Sequence, residues 1–142
     1  YTAEAYGLWR DVIEANPDAM YGEILERFRL GKCHSGPDYV AAWAKIDHIR
    51  AAYVKAVAGY DAVLIPTAPL LPPKLDRLET EHDYYVSANL MTLRNTRIGN
   101  LMGVAAVTLP TGTPSCGLML MGTPNGEEHL LRVAAAAEEA LA

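Results

Sequence analysis

The sequence has few cysteines, no long apolar run and no excess of basic residues. Its two cysteines, Cys33 and Cys116, show neither metal-binding nor redox spacing. Two are too few for a secreted disulfide scaffold, which predicts reduced thiols in a cytoplasmic protein. No stretch is long and apolar enough to span a membrane. The 12 basic residues are scattered among 17 acidic ones, and the net charge of −5 argues against a nucleic-acid partner, because phosphate binding needs clustered cations.

The residues that are present are typical of a globular domain. The 142 residues are 51% hydrophobic and 20% charged, and we expect a single domain over 1–142. Residues 1–15 resemble neither a signal peptide nor a transit peptide. They carry no initiator methionine and enter a helical pattern within a few residues, so we expect the chain to be part of a longer protein.

Apolar residues at helical spacing predict four clear helices and a weaker fifth. The clear ones span 2–16, 21–31, about 37–58 and 126–141, and the weaker one lies in YYVSANLMTLRN. Pro17 and Gly31 are expected to end the first two helices. The predicted buried face of the first helix comprises Ala5, Leu8, Trp9, Val12 and Ile13, and that of the third comprises Tyr39, Trp43, Ile46, Ile49, Tyr53 and Val57.

Three short apolar runs predict β-strands. They are 62–65, which Pro66 ends, VAAVTL (104–109) and GLMLMG (117–122). Their nearly unbroken apolar character is typical of strands that are covered on both faces. The stretch LLPPKLDRLETEHD is predicted to be a loop because prolines punctuate it. Three such strands would leave long unpaired edges, so we expect further strands outside this chain.

No pair of nucleophile and base is recognisable in the sequence. Serine occurs only at 35, 87 and 115, and neither a GxSxG motif nor a phosphate-binding loop is present. The four histidines are interpreted as surface or packed residues. ETEHD, around His82, is interpreted as a solvated acidic loop rather than a metal site, because its ligands are adjacent in sequence. We predict no catalytic residue, no metal ligand and no cofactor within this chain.

The polar cluster LRNTRIGN, residues 93–100, has two interpretations. Its Asn and Thr side chains could fix backbone groups near a helix end. Alternatively, the cluster shapes a polar pocket at the end of the sheet, where open α/β folds bind ligands, and Asn95 and Asn100 are then the candidate substrate contacts.

Several longer stretches resemble the amidase-signature family. YDAVLIPTAPLLPP, TRIGNLMGVAAVTLPTG and GLMLMGTPNGEEHLLRVAAAAEEAL are similar, in order and spacing, to its C-terminal half. EAYGLWRDVIEANPDAMYGEILERFRLG and DYVAAWAKIDHIRAAYVKAVAGYD resemble the helical region that precedes them. The resemblance covers essentially the whole chain and implies an α/β fold, the C-terminal portion of the amidase-signature fold, with a mixed β-sheet covered by α-helices.

The resemblance also implies a function. Family members hydrolyse amides with a Ser–Ser–Lys triad, in which a serine attacks the carbonyl and a neutral lysine takes its proton through the second serine. That triad lies in the N-terminal half, which is missing here, so the implied partners are that half and a small-molecule amide substrate. A homodimer through strand edges or an exposed apolar patch is a further expectation.

Several positions acquire a role through the resemblance. The Pro-Thr turn at Thr67, the Asn-x-x-Gly segment at Asn100 and the small-residue loop that follows Pro110 are implied to lie near the substrate channel. Such a rigid loop leaves room beside a reacting amide. Turn chemistry alone also explains the prolines and glycines of these segments, and this second interpretation stays open.

The sequence departs from the family pattern at particular positions. Ala105 stands where many members have proline, and Met119 where many have glutamine. The branch that serves misacylated tRNA has an acidic residue where this sequence has Leu93. That branch also holds the substrate carboxylate with an arginine, and Arg27 could match that arginine. These departures favour a general amidase over the amidase-like subunit of a tRNA-dependent amidotransferase. A non-catalytic interaction or scaffold module is the alternative from another class.

Overall fold

The computed structural model describes residues 1–141, in which seven α-helices accompany three β-strands. The helices are α1 (Thr2–Ala15), α2 (Gly22–Arg29), α3 (Gly36–Val57), α4 (Leu75–Thr80), α5 (His82–Thr92), α6 (Thr96–Met102) and α7 (Glu127–Leu141). The strands are β1 (Val63–Pro66), β2 (Ala106–Pro110) and β3 (Gly117–Met121). Contacts within the chain divide it into two compact units, Tyr1–Asp47 and His48–Ala142.

The first unit packs α1 against α2 and the 3-10 turn Leu30–Cys33. Ile13 of α1 and Leu25 of α2 are its buried apolar side chains. Gly31 lies inside the 3-10 turn rather than at a free helix end. A Cβ there would lie 2.6 Å from the Cβ of Tyr6 and would overlap the carbonyl of Thr2. Gly31 is therefore required by the close approach of two backbones. Helix α2 does end just before it, but the predicted reason, a glycine that stops the helix, is wrong.

The predicted buried face of α1 is mostly exposed in this chain. Only Ile13 is buried, whereas Leu8 is 81% exposed and Trp9 and Val12 are also largely exposed. The helix itself is predicted correctly, because periodicity reports which residues share a face. Periodicity does not report whether another element covers that face.

A cluster of charged and polar side chains joins α1 to α2. The Arg29 guanidinium donates two hydrogen bonds to the Glu14 carboxylate, from Nε at 3.1 Å and from Nη2 at 2.7 Å. The Tyr6 hydroxyl donates to the same carboxylate at 3.0 Å, and Lys32 Nζ lies 3.4 Å from it. These donors, Arg29 first and Tyr6 second, lower the pKa of Glu14 to about 2.

Helix α3 begins with a side-chain cap. The Asp38 backbone N–H donates to Ser35 Oγ, and that hydroxyl donates to the Asp38 carboxylate at 2.7 Å. The predicted inward residues are half-buried, except Ile49, which is 41% exposed. Within the second unit, Arg50 Nε donates to the Leu101 carbonyl at 2.8 Å, which ties α3 to the end of α6.

The sheet of the second unit has the strand order β1–β3–β2, and both pairings are antiparallel. Strand β3 is the centre. Its residues Met119, Leu120 and Met121 are at most 3% exposed. Leu120 packs with Leu109 of β2 and with Leu130 and Ala134 of α7. On the other side, Gly99 of α6 approaches Met121, where a Cβ would lie 3.7 Å from the sulfur. Helices thus cover both faces of β3, as predicted.

Two local expectations for the second unit are wrong. Among the described residues, β1 and β2 are the outer strands of the sheet, and both have exposed side chains, with Leu64 of β1 57% exposed, so neither is covered on both faces. The proline-rich stretch 70–83 is not a continuous loop, because it contains α4. The Arg77 guanidinium donates to Glu81 at 2.7 Å along this short helix. A pair of charged side chains four residues apart stabilises a helix without any apolar periodicity, so the apolar pattern does not predict it.

Over residues 1–141, none of the helices combines the length and apolarity that crossing a bilayer demands.

Neighbouring leucines on α7 allow a matched test of the core. Leu130 is 2% exposed and Leu131 is 61% exposed. Leu130→Ala is expected to lower the free energy of unfolding by about 2–5 kcal/mol, because it removes buried methyl groups and leaves a cavity. Leu131→Ala should change it by less than about 0.5 kcal/mol. Urea denaturation followed by circular dichroism measures both, and equal midpoints would contradict this packing.

The Glu14 cluster predicts a pH dependence in the first unit. Because the folded pKa is lowered from 4.5 to about 2, the stabilisation is fully present above 4.5 and is lost as the pH falls through about 2. An NMR titration of the Glu14 carboxyl carbon should give a midpoint near 2 in the native chain. In Arg29→Gln the midpoint should rise, and in the control Arg10→Gln it should not move. An unchanged midpoint in Arg29→Gln would show that Arg29 is not the cause.

Candidate functional site

A cleft of about 650 Å³ opens in the second unit where β1 ends. We call it the Thr67 cleft. It is lined by residues 66–71, by Thr108 of β2, and by residues 115–117 at the start of β3. Two of its walls are therefore the connection that follows β1 and the end of the β2–β3 hairpin. Its position depends on the pairing of these strands.

Side chains from the two sides of the sheet, Thr67 after β1 and Thr108 of β2, meet over Gly117, the first residue of the central strand β3. The Thr67 N–H donates to the Gly117 carbonyl at 2.9 Å, which extends the β1–β3 pairing by one residue. The Thr67 hydroxyl reaches Thr108 Oγ1 at 3.1 Å. A Cβ at position 117 would lie 2.9 Å from both Thr67 Oγ1 and Thr108 Cγ2. The missing side chain of Gly117 is what allows the two threonines to meet.

The hairpin loop before Gly117 is held by its own hydrogen bonds. The Cys116 N–H donates to the Thr113 carbonyl at 3.1 Å, and the Thr111 hydroxyl donates to the Cys116 carbonyl at 3.2 Å. Ser115 has a positive φ of 62°, which is uncommon for a residue with a side chain. The loop consequently presents Ser115 and Cys116 to the cleft in a fixed conformation.

Asn95 makes a hydrogen bond to the backbone at the edge of the cleft. Its side-chain Nδ2 donates to the Pro66 carbonyl at 2.7 Å. Asn95 occupies the N-cap position of α6, yet its side chain makes no capping hydrogen bond to that helix. Asn95 therefore fixes the end of strand β1 at the edge of the cleft. Thr96 follows the first interpretation instead, because its hydroxyl donates to the Leu93 carbonyl at 3.3 Å, next to the start of α6.

The four predicted site residues do not all come together. Thr67 lines the cleft, and Asn95 holds the residue before it. Asn100 is exposed on α6 and does not line the cleft. Arg27 lies on α2 in the first unit, where it is half-buried.

Sequence reasoning missed the contribution of Thr108 and Gly117 as a pair. Their proximity follows from the register, in which Thr108 pairs with Met119 and Pro110 pairs with Gly117. The small-residue composition of 110–117 was the available signal for a close approach. It could not identify which hydroxyls would meet there.

The lining of the Thr67 cleft can bind but offers little for catalysis. Among the described residues 1–141, no Asp, Glu, Lys, Arg or His lines it. Its polar side chains are the hydroxyls of Thr67, Thr108 and Ser115 and the thiol of Cys116. A hydroxyl or thiol without a neighbouring base is a weak nucleophile. Throughout the same residues, no cluster of three or more acidic, histidine or cysteine side chains could hold a metal ion.

Removing the Asn95 amide should loosen the cleft edge. Asn95→Ala is expected to cost about 1 kcal/mol locally, so the Thr67 amide should exchange with solvent roughly five-fold faster. Asn100→Ala, on the same helix and exposed, is the matched control and should leave that rate unchanged. Hydrogen exchange followed by NMR gives both rates. Equal rates in the two variants would mean that the Asn95 bond to Pro66 does not hold this edge.

Comparison with known proteins identifies relatives of this chain. The amidase family model matches residues 4–131. The 2-amino-5-chloromuconic acid deaminase of Comamonas testosteroni is 33% identical, over 78% of this chain and 25% of the relative. A fatty acid amide hydrolase of Oryza sativa subsp. indica is 38% identical, over 72% of this chain and 18% of the relative. A glutamyl-tRNA(Gln) amidotransferase subunit of Halobacterium salinarum is 30% identical, over 94% of this chain and 33% of the relative.

A solved structure has the same fold. The crystal structure of an amidase matches 99% of this chain and 33% of that chain with a TM-score of 0.76 at 23% identity. This likeness confirms the predicted α/β fold class. The chain thus covers between 18% and 33% of the length of each of these relatives. The family match over 4–131, together with these relatives, shows that the chain belongs to the amidase family.

Proposed function

We propose that this chain supplies part of the substrate cleft of a hydrolase that cleaves amide carbon–nitrogen bonds. The catalytic Ser–Ser–Lys triad would lie outside it, in the N-terminal half that the sequence resemblance implies. The observation that carries the proposal is the match of the amidase family model to residues 4–131. Among the described residues, the cleft of this chain is lined by hydroxyls but by no base, so the catalytic groups are expected elsewhere. The chain would bind and orient the amide, and the other half would supply the nucleophile.

The site residues take different roles in this proposal. Thr67 contacts the substrate from the cleft wall, and Asn95 acts as a positioning residue through the Pro66 carbonyl. Asn100 and Arg27 are retained as candidate substrate contacts on sequence resemblance alone. In acyl transfer, a rigid wall raises the rate by holding the carbonyl in line with the nucleophile.

The amidase-like component of a tRNA-dependent amidotransferase is a second candidate. It is favoured by the Halobacterium salinarum relative, whose similarity extends over 94% of this chain. Leu93 argues against it, because an acidic residue is expected there in the glutamine-using branch. A scaffold module without chemistry is the third alternative.

The exposed thiols of Cys33 and Cys116 support a cytoplasmic location.

The coding DNA upstream of the Tyr1 codon tests the proposal most directly. It should continue in frame through a Gly/Ser-rich segment with a Ser–Ser–Lys set, and the product of the whole reading frame should release ammonia or an amine from amides. The 142-residue chain alone should not. A start codon immediately before Tyr1, or a full product that is inactive on every amide tried, would refute the proposal.

A variant of the full product then tests the role of the cleft wall. Thr67→Val should lower kcat/KM for a good amide substrate about ten-fold, the effect of losing one hydrogen bond worth about 1.4 kcal/mol. Thr113→Val is the matched control, because Thr113 lies in the loop between β2 and β3, next to the cleft-lining residues 115–117, but does not line the cleft itself. Equal activities in the two variants would remove Thr67 from the substrate contacts.

A further inference from the structure

The Thr67 cleft has an unusual lining for a site that would recognise a charged ligand. None of the described residues that line it carries a formally charged side chain, and the segment 66–71 supplies Pro66, Ala68, Pro69, Leu70 and Leu71. Leu71 is 64% exposed, so its apolar surface faces solvent at the cleft. An ionised ligand placed against this wall would lose hydration without gaining a partner.

The most concentrated polar feature of the cleft is the pair of threonine hydroxyls. A single hydrogen bond of 3.1 Å joins Thr67 Oγ1 to Thr108 Oγ1. Each hydroxyl has one hydrogen, and Thr67 donates its own to Thr108, so the hydrogen of Thr108 is left. The remaining hydrogen is available to a ligand that accepts a hydrogen bond. The two threonine side chains fill the space that a Cβ at Gly117 would take, so the pair itself lies at the cleft surface.

We infer that the Thr67 cleft selects an uncharged ligand, one with an apolar body and a carbonyl oxygen that accepts a hydrogen bond from the threonine pair. The inference rests on the proposed function in one respect only, namely that this ligand is the amide substrate. Within amides, the cleft prefers those whose acyl part is neutral and apolar over those that carry a carboxylate or an ammonium group on it.

Three amides of equal chain length isolate the effect of charge. Hexanamide is neutral, adipamate carries a terminal carboxylate, and 6-aminohexanamide carries a terminal ammonium. Each is titrated at pH 7 into the 142-residue chain, and the backbone amide signals of Thr67 and Gly117 report binding by NMR. Hexanamide should bind at least about ten-fold more tightly than either charged amide, because each charge must be desolvated against the apolar wall.

Two substitutions separate charge from hydrogen bonding. Leu71→Lys should strengthen adipamate binding several-fold, whereas Leu64→Lys, at a similarly exposed leucine outside the lining, should not. Thr108→Val removes the hydroxyl whose hydrogen is left for the ligand and should weaken hexanamide several-fold, and Thr113→Val should not. Binding is measured without turnover, so failure of the amide hydrolysis experiment would not change the result.

The possible results have distinct meanings. Preference for hexanamide with the expected response to Leu71→Lys supports the inference, even if the full product hydrolyses nothing. Charged amides that bind as tightly as hexanamide would overturn it. So would the absence of any shift at Thr67 and Gly117 with all three amides, because the cleft would then not bind this class of ligand.

Discussion

Burial of β3 between two strands and beneath helices is the constraint on which the second unit depends. The strand pairs along both of its edges, and Met119, Leu120 and Met121 lose nearly all contact with solvent. Since successive side chains point to opposite faces, Leu120 packs with Leu109 and Leu130 while Met121 meets α6 at Gly99. A shift of register by one residue would exchange these faces and disrupt both layers.

The same register that builds the core builds the cleft. It sets Gly117 opposite the residue after β1, and the absent side chain there lets the hydroxyls of Thr67 and Thr108 meet above the central strand. Replacing Gly117 by any larger residue would push the two hydroxyls apart. The site therefore depends on a strand that contributes almost no functional side chain of its own.

Sequence patterns predict the elements better than their surroundings. Strands β2 and β3 and helix α7 follow from apolar runs and helical spacing, although buried residues dominate only β3, whereas β2 buries Leu109 alone and α7 buries Leu130 and Ala134. Helix α4 escapes prediction, since a six-residue helix held by a local Arg77–Glu81 pair carries no apolar period. Leu8 and Leu64 are exposed against expectation, because whether an apolar face is covered depends on which other elements reach it. The pairing of Thr67 with Gly117 joins residues that are distant in sequence, so no local pattern reveals it.

The polar side chains around the cleft are largely occupied within the chain. Asn95 is bonded to the Pro66 carbonyl, Thr111 to the Cys116 carbonyl, and Thr67 to Thr108. The two interpretations of Asn95 are consequently not alternatives, because a residue that fixes the end of β1 also shapes the cleft that this strand end lines. A wall whose polar groups are mostly bonded within the chain is rigid and presents mainly apolar surface, apart from the one hydroxyl hydrogen that the threonine pair leaves for a ligand. Such a wall can discriminate by shape and by the absence of charge, but a chemical step at this site needs a nucleophile and a base that are brought to it from elsewhere.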